Sequence, residues 1–147
     1  MAEINYQELL GEPDMPNLMR REIDKLAING ENPTWVGSKM VLGNDAKVSL
    51  GRLVLPGESK LDELLRAEEK EKKKKKNLYT KMVDGDGEVW ELDFNYWPSL
   101  KRYVFKREWA KVLKKFGVEK GWIVQIWCFR SKQNKPCFGV YVVNPLN

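Results

Sequence analysis

Residues 78–105 read LYTKMVDGDGEVWELDFNYWPSLKRYVF. The Asp-Gly pairs at 84–87 suit the positive φ angles of a tight turn, so the residues that flank them, up to Phe94, are predicted to form a β-hairpin. A tight segment, 95–100, separates this hairpin from a further predicted strand that begins at Lys101. The stretch therefore indicates a mainly β fold in which neighbouring strands are joined by short turns.

Outward from this stretch, the sequence predicts about seven short strands and two or three helices. The further strands are placed at 36–42, 52–55, 101–105, 122–129 and 137–143, and the helices at 18–28, 59–66 and 106–116. Because the helices lie between strands without alternating regularly with them, a closed or partly closed barrel capped by helices is favoured over a doubly wound sheet.

Two of the predicted helices are amphipathic. The helix at 106–116 has an apolar stripe at helical spacing, formed by Trp109, Val112, Leu113 and Phe116. Its lysines, Lys111, Lys114 and Lys115, are predicted to point away from that stripe. The N-terminal segment, 1–34, contains one amphipathic helix, whose apolar side either packs onto the domain or docks a partner protein. Both roles stay open on the sequence alone.

The composition excludes several classes of function. Histidine is absent from the 147 residues, which removes serine-histidine and cysteine-histidine nucleophile systems and every histidine-containing metal site. Cys128 and Cys137 are too few for a disulfide framework, and their apolar neighbours favour buried, reduced thiols. No segment approaches the roughly 18 to 20 consecutive apolar residues of a membrane helix. We therefore expect a protein that is not an enzyme, with no cofactor, no small-molecule substrate and no membrane attachment.

The acidic turn also resembles the start of a calcium-binding loop, because Asp84, Asp86 and Glu88 alternate along it. The spacing excludes this, since Val89 stands at the position of the required glycine and Asn95 at the position of the bidentate glutamate. No metal site is expected.

The net charge of +5 is distributed unevenly along the chain. From residue 98 to the end, eleven Lys or Arg residues face only Glu108 and Glu119. Such a basic region points to a polyanionic partner or to a solvated surface. The lysine run 72–76, in a predicted loop at 66–77, indicates either a solvated loop or a nuclear import signal.

Three stretches, in order, resemble the plant B3 DNA-binding domain over residues 36–145. The first is 45–56, DAKVSLGRLVLP, which is similar to the family's Ser-Asp-Val followed by Arg-Leu-Val-Leu-Pro. The second, 86–109, contains Tyr-Trp-Pro-Ser at 96–99, and the third, 118–130, ends in Trp-Cys-Phe-Arg. The helix ahead of Trp35 also resembles the compact single-domain branch formerly filed as a domain of unknown function.

The resemblance implies a seven-stranded open pseudobarrel over residues 35–147, with two or three flanking α-helices. It also implies a nuclear transcriptional regulator that enters the major groove of double-stranded DNA with two arms. Carried over by position, the DNA-binding residues are Lys39, Lys47, Ser49 and Arg52 in the first arm and Trp97, Ser99, Lys101 and Arg102 in the second.

The chemistry of these positions agrees with that role. Lys and Arg bind phosphates, and Ser49 and Ser99 offer small hydroxyl contacts. Arg52 can read a guanine edge bidentately or pair with a nearby acid. Trp97 is favoured as a packing residue that shapes its loop over a direct base contact.

The sequence departs from the family pattern at three positions. Gly57 stands where many members have Lys and Pro98 where Asn is common, so each position lacks a side chain that is a candidate for DNA contact, and Trp122 stands where Asp is usual. The alternative function is therefore a degenerate barrel that docks a protein, with weak or non-specific DNA binding. RNA binding is disfavoured, because the aromatic pair and glycine-rich spacing of single-strand platforms are missing.

Overall fold

The computed structural model describes residues 6–65, 78–106 and 108–146. Within them, seven strands form one sheet: β1 Thr34–Met40, β2 Leu53–Val54, β3 Leu78–Val83, β4 Val89–Trp97, β5 Arg102–Lys106, β6 Ile123–Arg130 and β7 Pro136–Val143. The same residues form four α-helices: α1 Tyr6–Leu10, α2 Asn17–Leu26, α3 Glu58–Leu64 and α4 Trp109–Phe116. The loop predicted at 66–77, with its lysine run 72–76, lies outside the described residues.

The sheet has the order β1-β6-β7-β3-β4-β5-β2, so β1 and β2 are its two edges. All described pairings are antiparallel except that of β3 with β7. The two edges nevertheless meet, because the Lys39 ammonium of β1 donates a hydrogen bond of 2.7 Å to the Val54 carbonyl of β2. The sheet therefore curls into an open barrel, and the predicted seven-stranded, mainly β fold is confirmed.

The concave side of the sheet encloses the main apolar core. Its centre is a group of buried rings in which Phe94 stacks on Tyr103 at 5.2 Å between centroids and also contacts Phe105 and Phe138. The predicted stripe of α4 closes one end of this core, since Trp109, Val112 and Leu113 are buried there. Burial of these side chains is the main favourable contribution to the fold.

The convex side of the sheet carries a second, smaller cluster beneath α2. Met19 and Ile23 are fully buried against Trp127, Phe129 and Cys137, together with Ala27 and Val83. The apolar stripe of this helix is therefore packed onto its own domain. Cys137 and Cys128 are both buried free thiols, as predicted, and burial raises the pKa of Cys137.

The structure corrects several element boundaries. The segment predicted as tight from residue 95 continues β4 as far as Trp97, and the turn follows at 98–101. Lys106, predicted to begin a helix, ends β5 instead, and α4 begins at Trp109. The N-terminal segment contains α1 in addition to the one predicted helix; five residues are too short for a periodic apolar pattern to show.

None of the helices in the described part of the chain has the length and apolar character needed to cross a bilayer.

Candidate nucleic-acid interface

The first arm consists of Lys39 near the end of β1 and the loop 41–52, which leads to β2 and is built from consecutive turns. The Leu50 N–H donates to the Lys47 carbonyl at 3.1 Å, and the Gly51 N–H donates to the same oxygen at 3.3 Å. Gly51 has φ +55°, a left-handed conformation that glycine adopts without steric cost. Lys47 and Ser49, both predicted DNA contacts, are exposed on this arm.

A buried carboxylate, Asp45, holds the first arm in place. Its side chain is 4% exposed, forms an ion pair with Lys39 at 2.9 Å, and accepts hydrogen bonds from the N–H groups of Leu42 and Val54. The Asp45 carbonyl accepts a further bond from the Trp109 indole at 3.3 Å. This residue therefore connects both edge strands of the barrel to α4.

The second arm, residues 97–102, is centred on the four-residue turn 98–101 between β4 and β5. The Leu100 N–H donates to the Trp97 carbonyl at 3.1 Å, and the Lys101 N–H donates to the Pro98 carbonyl at 3.2 Å. Lys101 has φ +51°, which is uncommon for a residue with a side chain. Ser99 and Lys101, the predicted DNA contacts in this turn, are exposed.

Arg102, the first residue after the turn, is held by α3. Its guanidinium lies 3.2 Å from the Glu58 carboxylate, and the Tyr96 hydroxyl donates to the same carboxylate at 3.4 Å. On the next turn of the helix, Asp62 accepts a hydrogen bond from the Tyr103 hydroxyl. Burial and this bond raise the pKa of Tyr103, so it remains a neutral donor.

The Trp97 ring is contacted by two cations, Arg52 from the first arm and Lys106 from the end of β5. The Arg52 guanidinium carbon is 5.0 Å from the centre of the Trp97 ring, and the Lys106 ammonium is 5.8 Å from it. Because β4 and β5 are paired, Trp97, Arg102 and Lys106 fall on one face of the sheet, and Arg52, which directly precedes β2, reaches the Trp97 ring on that face. Cation–π contacts of this kind fix where the two charges lie.

The geometry at Gly57 explains one departure from the family pattern. Gly57 has φ +72°, and a Cβ atom there would lie 2.7 Å from both the carbonyl oxygen and a methyl carbon of Val36. A lysine at this position would need a different approach of β1 to the segment after β2. Glycine is therefore required by the close contact of the two barrel edges.

The acidic turn binds a lysine of the protein itself. The Lys115 ammonium lies 2.6 Å from Asp84, 3.2 Å from Asp86 and 2.8 Å from Glu88. Burial lowers the pKa of Lys115, but its hydrogen bonds to these three carboxylates raise it overall. Within the described ranges, no cluster of metal-ligating side chains is arranged to hold an ion. The contact fastens α4, and with it Trp109, to the β3–β4 hairpin.

The structure therefore brings Arg52 and Trp97 into contact and leaves Lys47, Ser49, Ser99 and Lys101 exposed on the arms. Arg102 and Lys39 are each held by an acid. Sequence reasoning missed Lys106, which was assigned to a helix; the alternation 102, 104, 106 along a strand would have placed it beside Arg102. It also missed Asp45 and Glu58 as positioning residues, for which the sequence offered no signal.

Comparison with known proteins agrees with this architecture. The profile of the family described as B3 domain-containing protein At2g31720-like matches residues 12–144. The chain belongs to this B3 family. The B3 domain is also similar to a putative AP2/ERF and B3 domain-containing protein, Os01g0140700, of Oryza sativa subsp. japonica, with 33% identity over 46 residues. That match covers 31% of this chain and 14% of the rice relative.

Two solved structures share the fold of this B3 domain. The first is the Arabidopsis FUS3–DNA complex, with a TM-score of 0.55 and 21% identity over 75% of this chain and 97% of that one. The second is the complex of the Arabidopsis thaliana transcription factor LEC2 with DNA, with a TM-score of 0.53 and 21% identity over 74% and 93%. At this identity the likeness supports the pseudobarrel fold alone.

Proposed function

We propose that this B3 domain binds double-stranded DNA in the major groove with its two arms and regulates transcription in the nucleus. The observation that carries the proposal is the group of cations on one face, in which Arg52 and Lys106 flank Trp97 between two exposed basic arms. The family match and the two relatives solved with DNA support it. Membership of the B3 family also supports a non-enzymatic role.

The predicted DNA-binding residues divide into three roles. Lys47, Lys101 and Arg102 are suited to phosphates, with Ser49 and Ser99 as hydroxyl donors beside them. Arg52 is suited to a guanine edge, because Trp97 holds its guanidinium at the centre of the face. Trp97 acts as the packing residue for this arrangement, and we add Lys106 as a further cation.

Lys39 is assigned a positioning role within the same proposal. Its ammonium is bound by the Asp45 carboxylate and the Val54 carbonyl, and its side chain is 16% exposed. A cation held in this way contributes to DNA binding through the placement of the first arm.

The test is a competition binding series with a preferred duplex, obtained by selection from random sequences, and a scrambled duplex. The change Lys101→Ala with Arg102→Ala should weaken binding to both about equally and make the salt slope shallower by roughly one unit for each lost phosphate contact. Lys132→Ala with Lys135→Ala removes the same charge from an exposed loop outside the arms and serves as the matched control.

Arg52→Ala should behave differently from the double variant. If Arg52 reads a guanine, its loss should cost about 1 to 3 kcal/mol on the preferred duplex and little on the scrambled one. An equal loss on both duplexes would make Arg52 a phosphate or structural residue. A flat salt response of the unchanged protein, or no binding at roughly 50 mM salt, would contradict DNA binding itself.

The docking alternative has less support from the described residues. The apolar side of α2 that would serve a protein partner is buried, with Met19 and Ile23 fully covered. A partner at this helix would have to bind its outer face, where Leu18 is exposed.

Nuclear import through 72–76 is tested by replacing the five lysines with serine. We expect lower nuclear accumulation with unchanged DNA affinity in vitro. Equal nuclear levels would assign the run to a solvated loop.

A further inference from the structure

The two arms share a short sequence pattern, Ser-Leu-Gly-Arg at 49–52 and Ser-Leu-Lys-Arg at 99–102, and a common local structure. In each arm, a leucine is followed by a residue in the left-handed conformation and then by an arginine: Leu50-Gly51-Arg52 and Leu100-Lys101-Arg102. In each, the leucine N–H closes a turn on the carbonyl three residues earlier. The same three-residue geometry therefore presents a leucine and an arginine at the tip of each arm.

Both leucines are exposed although they are surrounded by charge. Leu50 is 41% exposed and Leu100 is 48% exposed, whereas the side chains that follow the arginines, Leu53 and Tyr103, are fully buried. The leucines are therefore not part of the core. An apolar tip flanked by Lys47, Arg52, Lys101 and Arg102 suits a ligand that offers small apolar groups between phosphates.

We infer that Leu50 and Leu100 read thymines by contact of their side chains with the C5-methyl groups in the major groove. This inference rests on the proposed function and extends it, because it adds apolar readout to the polar contacts of the arms. The thymine methyl is the apolar group that a base pair presents in the major groove, and it distinguishes thymine from the other three bases. The flanking cations favour a polyanion over an apolar protein surface as the occupant.

The test removes the methyl group without changing base pairing. In the preferred duplex, each thymine is replaced in turn by deoxyuridine, which lacks only the C5-methyl. One fully buried methyl corresponds to about fourfold in Kd, or about 0.8 kcal/mol. We expect one or two thymines at which this replacement weakens binding by about that factor.

Variants of the protein then assign each methyl to its leucine. Leu50→Ala should abolish the sensitivity at one thymine and Leu100→Ala at another, while Leu50→Met and Leu100→Met should retain it. Leu146→Ala, at an exposed leucine outside the arms, should leave every sensitivity unchanged. Thermal melting checks that each variant is folded.

The outcomes separate this inference from the proposed function. If the duplex is bound but no thymine is sensitive, or if sensitivity persists in both alanine variants, DNA binding stands and leucine readout is wrong. A preferred site that contains no thymine leads to the same conclusion. If no duplex is bound at all, the proposed function is contradicted and this inference with it.

Discussion

The two arms end in the same local turn, but the rest of the molecule supports them in opposite ways. The first arm is braced from inside by a buried ion pair and by the Trp109 indole of a core helix. The second is a short hairpin turn whose arginine is held at the surface, where the Arg102 and Glu58 side chains are 49% and 28% exposed. We therefore expect that removing a support of the first arm destabilises the whole protein. Changes in the second arm should have small, local effects on stability.

The largest expected effect is the loss of Asp45. Asp45→Ala leaves the Lys39 charge without its partner in a mostly buried site and removes two acceptors of backbone hydrogen bonds, so we expect a loss of about 3 to 5 kcal/mol in the free energy of unfolding. Urea denaturation measures it. The double variant Asp45→Ala with Lys39→Met removes the unpaired charge and should recover part of the loss. If Asp45→Ala costs less than about 1 kcal/mol, the first arm is no more deeply braced than the second.

A second variant tests the close contact of the two barrel edges at Gly57. This residue directly precedes Glu58, the partner of Arg102 in the second arm. Gly57→Ala introduces a Cβ atom that meets Val36 at 2.7 Å and places a side chain at φ +72°. We expect a loss of about 2 kcal/mol or more, because the left-handed conformation alone costs roughly 1 to 2 kcal/mol. Gly43→Ala, where a Cβ would contact nothing within 4 Å, is the control. A similar melting temperature for both variants would contradict the close approach of the edges.

A third variant tests the contact between the acidic turn and α4, the helix whose Trp109 bonds to the first arm. Lys115→Met should destabilise the protein by about 1 to 2 kcal/mol at neutral pH, since three charge-assisted hydrogen bonds are lost at a partly exposed site. The pKa of Lys115 is higher in the folded than in the unfolded protein, so this contribution is complete below the ordinary value of 10.5 and is lost as the pH rises through the folded value.

The difference in stability between wild type and Lys115→Met should therefore be constant from neutral pH to about pH 10 and shrink above it. Comparing the two proteins cancels the titration of the tyrosines. If this stability difference instead grew as the pH rose above 10, the protonated Lys115 would not be the stabilising form.

The smallest expected effects concern the second arm. Glu58→Ala should change stability by less than about 1 kcal/mol, because the ion pair is exposed. Lys101→Gly should raise stability by up to about 1 kcal/mol, since glycine adopts φ +51° without steric cost, while it lowers DNA affinity by the loss of one cation. Measured on the same preparation, the melting temperature should rise while the DNA affinity falls. A fall in both would show that Lys101 stabilises the turn.

The sequence predicted the fold well because most of its signals are local. Asp-Gly pairs, the stripe of Trp109, Val112 and Leu113, and the order of the three family stretches were sufficient for seven strands, the main helices and the family. Boundaries were less accurate: Lys106 was assigned to the following helix, although the alternation of 102, 104 and 106 also fits the end of a strand.

The candidate site was predicted only in part, for a physical reason. The sequence by itself determined which residues are basic, which are apolar and where the chain turns. Whether a cation is exposed or bound depends on residues far along the chain, as with Lys39 and Asp45 across the barrel edges, Arg102 and Glu58, or Lys115 and the acidic turn. The arrangement of Arg52 and Lys106 around Trp97 likewise exists only after β2, β4 and β5 have paired. Charge is a property of each residue, whereas its partner is decided by the tertiary structure.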